Sequence, residues 1–138
     1  MAAYNKFQSF VELLAEKAHN LGSDTLKVAL TNSAPVATNT VLANITQIAN
    51  GNGYTTGGTQ ATISSSAQSS GTYKLVLADV VFTATGAVGP FQYAVLYNDT
   101  ATNDELIAWW DYGSPVTLAN GDTFTVDFDA TNGVLTIA

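Results

Sequence analysis

Cysteine and arginine are both missing from this chain, and histidine occurs once. Without cysteine there is no disulfide framework, no thiolate nucleophile and no thiolate zinc site, and the redox compartment leaves no mark. Without arginine there is no guanidinium fork to clasp a carboxylate or phosphate at two points. The four basic residues are lysines (Lys6, Lys17, Lys27, Lys74) against 11 acidic ones, a net charge of −7. No basic stripe can be built from them, so neither nucleic-acid binding nor phosphoryl transfer is expected. Charged residues make up 11% of the 138, well below the ~25% usual in soluble domains. Long apolar runs are missing too. No stretch approaches ~18 consecutive apolar residues, and Glu12 and Glu16 interrupt the apolar part of Met1–Asn20, which therefore lacks a signal-peptide core. No membrane partner is expected.

What remains is 46% hydrophobic residues, enough to fill the core of a single domain spanning 1–138. Threonine supplies much of the surface: 19 threonines outnumber all 15 charged residues. Asn5–Leu21 has the spacing of one amphipathic helix, with Phe7, Phe10, Val11, Leu14, Ala18 and Leu21 on one stripe. Asn5 is placed as N-cap, Gln8 completes a capping box and Gly22 is placed as the stop. After residues 1–22 the period becomes two. Thr25–Thr31 alternates as a strand, and 32–59 is an irregular arm with Pro35, four glycines and an aliphatic set of Val41, Leu42, Ile45 and Ile48. Residues 60–138 read as strand after strand. These are Gln60–Ser66, Thr72–Ala78, Val80–Thr85, Phe91–Tyr97, Glu105–Tyr112, Val116–Leu118, Thr123–Phe128 and Val134–Ile137. Asn120-Gly121 and Asn132-Gly133 suit tight hairpins. The expected fold is mainly β: an antiparallel β-sandwich or jelly-roll-like domain with one N-terminal amphipathic α-helix.

Chemistry is sparsely provided. His19 is expected in the last turn of the helix, where it complements the dipole, and no nucleophile elbow accompanies it. Asp111, Asp127 and Asp129 lie on or beside strands, but no spacing selects a glycosidase pair from them. The oxygen-rich loop Asn98–Glu105 lacks the glycine and closing glutamate of an EF-hand, and Asx-type turns explain its composition. Gly51–Gly58 lacks the lysine of a P-loop and reads as a turn. Trp109 and Trp110 are neighbours on one strand and must face opposite sides, one entering the core and one joining Tyr93 or Tyr97 outside. An exposed aromatic there would stack on a sugar or anchor a protein; the alternative is that both rings are buried, under the helix and between the sheets.

Four stretches carry a resemblance. Asp24–Pro35 with Gly51–Thr55, Leu75–Ala84, and Asp122–Phe128 together resemble a group of small virion proteins of tailed bacteriophages, over most of the chain. The resemblance implies a role like that of head decoration, or cement, proteins, which sit outside the shell of major capsid protein. It implies a β-rich homo-oligomer that bridges capsid subunits on the virion surface, assembled in the host cytoplasm, and it transfers no individual functional residue. On this reading the protein is not an enzyme and takes no cofactor or metal, and its partner is the major capsid protein. The helix and the arm carry apolar residues beyond the needs of a strand-built core. Phe7, Phe10, Val11, Leu14, Val41, Leu42, Ile45, Ile48, Trp109 and Trp110 are therefore the candidate interface residues. The alternative is a receptor- or carbohydrate-binding module of a tail or fibre.

Overall fold

The computed structural model describes residues 2–138. In chain order the elements are β1 (Asn5–Lys6), α1 (Ser9–Ala15), β2 (Leu26–Thr31), a 3-10 turn (Leu42–Asn44), β3 (Thr59–Ala61), β4 (Ile63–Ser69), β5 (Thr72–Leu77), β6 (Val80–Thr83), β7 (Val88–Asn98), β8 (Leu106–Leu118), β9 (Thr123–Val126) and β10 (Leu135–Ile137). They form a five-stranded sheet β1-β8-β7-β2-β3, a three-stranded sheet β10-β5-β4 and the pair β6-β9. Every pairing is antiparallel. The result is a mainly β, sandwich-like fold with one short helix.

Alternation explains how the layers meet. Leu26, Val28 and Leu30 of β2 enter the main core, where they join Leu75 and Leu77 of β5, Val80 and Phe82 of β6, and Val126 of β9. On the opposite face of the same strand Ala29 serves a second, smaller cluster, packing with Phe7, Ile45, Val95, Tyr97 and Leu106, with Leu42 and Trp109 against them. Both faces of the large sheet are therefore covered, and each fully buried Leu or Val contributes roughly 1.5–3 kcal/mol.

The N-terminal segment departs from expectation. The helix has seven residues, Ser9–Ala15, and Asn5–Lys6 is a strand paired with Ala108 and Trp109 of β8. Asn5 caps nothing; its Nδ2 donates to the carbonyls of Ala3 and Trp109. Gly22 does not stop the helix either. Lys17 does, with φ of 71°, in a Schellman closure: its N–H donates to Leu14 O (3.3 Å) and that of Ala18 to Leu13 O (2.8 Å). The pairing of β1 with β8 took the residues that periodicity alone assigned to a longer helix.

The irregular segment 32–58 is laced to the sheet. Thr31 bridges Gln47 and Val41 bridges Glu105, and Leu106 N–H donates to Thr40 O (3.0 Å). Its glycine cluster lets the backbone lie close. At Gly58, φ +77°, an added Cβ would fall 1.8 Å from the Val28 carbonyl oxygen, and at Gly53 one would fall 2.1 Å from that of Thr83. Asn120-Gly121 turns the chain as expected, but no hairpin follows. β9 leaves β8 and pairs with β6 in the opposite layer, because Phe124 and Val126 bury against the core from that side. Asn132-Gly133 likewise precedes a strand, β10, that pairs with β5 rather than with β9.

Candidate functional site

The most distinctive surface feature is an aromatic cleft between the outer halves of β7 and β8 and the strand β9. Trp110 and Tyr112 are two apart on β8 and share a face, and a register shift between Phe91 and Tyr93 places both Phe91 and Ala94 toward the main core. Phe124, Val126 and Phe128 close the opposite wall. The cleft has a volume of about 450 Å³ and opens to solvent.

Its rings are held by edge-to-face contacts. Trp110 meets Tyr4 at 5.8 Å and Phe128 at 5.5 Å between centroids; Phe124 meets Phe91 at 4.8 Å and Tyr112 at 5.3 Å. Such pairs are worth ~0.5–1.5 kcal/mol each beyond burial, and they fix ring orientation. Burial of the Tyr4 ring pushes its hydroxyl up to about 12, so it stays neutral. Gln92, Tyr93, Thr125 and Asp127 complete the lining; Asp111, between Trp110 and Tyr112, points to the other face of β8, where its Oδ1 accepts from Gln92 Nε2 (2.9 Å) and from Gly113 N–H (2.7 Å). The arrangement can hold a ring-shaped or apolar group against aromatic walls while its edges hydrogen-bond. Of the acids singled out by sequence, Asp127 is in the lining and Asp111 is not. Asp129 instead closes a turn, accepting from the N–H of Thr131 and Asn132 (2.8 Å each), and those bonds hold its carboxyl below the usual range.

The interface candidates scatter. Phe7 and Phe10 are buried in the chain's own cores and offer no surface, and Ile45 is buried but for 8%. Val11 is 50% exposed, and Leu14, Val41, Leu42 and Ile48 are half-buried. Val41, Leu42 and Ile45 do come together in a shallow depression with Gln47, Asn103 and Asp104. Burial, followed by the neighbouring charges of Asp99 and Glu105, raises the Asp104 pKa there. Trp109 and Trp110 face opposite sides as the strand period requires, both half-buried: Trp109 lies over Phe7 at 4.6 Å, and Trp110 lines the cleft. Tyr112, Gln92 and Tyr4 escaped the sequence reading. The i, i+2 relation of Trp110 and Tyr112 was the one signal that could have found a member of the set.

His19 lies beyond the helix and is buried. Asn98 Oδ1 accepts from the N–H of Thr100 and Ala101 (2.9 and 3.2 Å), which fixes the amide; its Nδ2 then faces His19 Nδ1 (3.0 Å) and Asp24 Oδ2 (2.7 Å). An amide NH₂ can only donate, so Nδ1 is the acceptor and the ring proton sits on Nε2. Among the described residues Nε2 has no partner. Desolvation lowers the His19 pKa against the opposing pull of Glu105 and Asp24. These bonds also show the Asn98–Glu105 loop closed by Asx-type turns. Comparison of the chain with family models, curated proteins and solved structures returns no match in any of the three.

Proposed function

We propose that this protein is a non-enzymatic structural component of a tailed-bacteriophage virion that binds the outer surface of the capsid, as a decoration or cement protein does, and acts as a homo-oligomer with the major capsid protein as partner. The resemblance over most of the chain motivates the reading. The observation that carries it is the segment 32–48 spread over the outer face of the large sheet. Ile45 faces inward there, while Val36 is 54% exposed and Val41 and Leu42 line an open depression. Apolar groups presented on a backbone tied down at both flanks suit adhesion, because little entropy is lost on contact. Low charge makes such contacts depend on apolar burial and neutral hydrogen bonds, which salt screens little. Many copies on one shell would act together, so each contact can be small.

The test is the position of the protein in purified virions, seen by electron microscopy. Density for the sandwich on the outer shell, with residues 36–48 toward the capsid subunits, supports the proposal. Density confined to the tail, or absence from the particle, contradicts it.

A further inference from the structure

We propose that the aromatic cleft between β7–β8 and β9 is a binding site for a neutral pyranose sugar, as a unit of an uncharged glycan. This goes beyond capsid attachment and does not depend on where in a particle the protein sits.

Size comes first. A volume of about 450 Å³ lies within the ~300–1,000 Å³ of small-ligand sites, and the open mouth lets a sugar that is part of a chain enter from the side. The walls supply the affinity. One face of a pyranose is a sheet of C–H groups, and it packs on an aromatic ring as other apolar surfaces do. Tyr112 is 58% exposed and Trp110 and Phe124 are half-buried, so all three keep ring area free. Their edge-to-face neighbours Tyr4, Phe128 and Phe91 hold them in place before any ligand arrives, which limits the entropy lost on binding.

The rim supplies direction. Sugar hydroxyls both donate and accept, and they need a mixed set of partners. Gln92, Tyr93, Thr125 and Asp127, the polar members of the lining, provide one. Charge then decides the class of ligand. The charged residue in the lining is the carboxylate Asp127, with no lysine beside it, and the chain carries −7 overall with no arginine. A sialylated, uronic or phosphorylated sugar would meet repulsion with nothing to neutralise it, and a second copy of this chain would bring like charge. A neutral sugar meets neither cost.

The full chain is probed on an array of neutral glycans, with sialylated counterparts beside them. Hits are titrated by tryptophan fluorescence and by ¹H–¹⁵N chemical shifts. At least one neutral glycan is expected to saturate at millimolar concentration or below, with shifts centred on Tyr112, Trp110 and Gln92, and its sialylated counterpart to bind at least about tenfold more weakly. Tyr112→Ala removes an exposed ring and leaves the core intact; it is expected to weaken binding by about tenfold. Gln92→Ala is expected to weaken it severalfold, with both folds checked by circular dichroism. Four results would overturn the proposal: no neutral glycan bound, binding untouched by Tyr112→Ala, sialylated sugars bound equally well, or the same shifts produced by protein concentration alone.

Discussion

The hydroxyl of Tyr54 accepts a hydrogen bond from the backbone N–H of Leu30 (3.1 Å) and donates one to Gln47 Oε1 (2.7 Å). β3 pairs with β2 only as far as Val28, so from Leu30 onward β2 would be an open edge in the middle of the fold. Tyr54 satisfies the N–H there, and Ile48 N–H donates to the Leu30 carbonyl (3.1 Å). The irregular segment thus substitutes for the missing length of strand. Tyr54→Phe keeps the ring and removes the hydroxyl, leaving a buried N–H without a partner. A loss of about 1–3 kcal/mol is expected in urea denaturation, with faster hydrogen exchange at the Leu30 amide. An unchanged midpoint would mean that the segment is dispensable to the sheet.

Lys17 occupies the left-handed position that closes α1, a conformation costing a non-glycine residue roughly 1–2 kcal/mol. Lys17→Gly is expected to raise stability by roughly 1 kcal/mol, or about 3 °C in Tm. Lys17→Ala should bring no such gain, since alanine carries the same Cβ. Equal effects of the two would show that removal of the lysine side chain, rather than relief of the backbone, is responsible.

The pH dependence of stability follows from His19. Burial holds its pKa in the folded chain below the ordinary 6.5. Between that lowered value and 6.5 the unfolded chain binds more protons than the native one, so stability falls as pH falls through this window and is flat above it. Protonation at Nδ1 would also set two donors, the imidazolium and the Asn98 amide, against each other. Urea midpoints measured from pH 7.5 down to 5.5 are expected to decline below about 6.5, and a His19→Gln chain should show a flatter profile. A wild-type midpoint that rises on acidification would contradict the buried neutral imidazole.

Much of this architecture was legible from local pattern, and the failures have identifiable causes. Leu26, Val28 and Leu30 against Ala29 and Thr31 declare a two-faced strand, and the period of two separates Trp109 from Trp110 correctly. The same reasoning failed at residues 5–22, where Phe7 and Phe10 keep helical spacing yet serve two different cores, one from the end of a strand and one from a helix. Nothing near Tyr54 announces its burial, because the partner that demands it is 24 residues away. Asn120-Gly121 marks a turn but not which layer the next strand joins; that is decided by pairing with β6, some 40 residues upstream. The cleft was half visible. Trp110 stood out by its type, whereas Gln92 reaches the rim only through a register shift in β7 that no local sequence signal marks.

Co-sedimentation with capsid shells that lack the protein tests the attachment reading most directly. Val36→Asp and Val41→Asp each place a charge on the apolar surface of segment 36–48, and neither side chain belongs to either core cluster. Wild-type protein is expected to sediment with the shells at both low and high salt, with the two variants left in the supernatant though folded. Binding of both variants at wild-type level, or failure of the wild type to bind, would contradict the assignment.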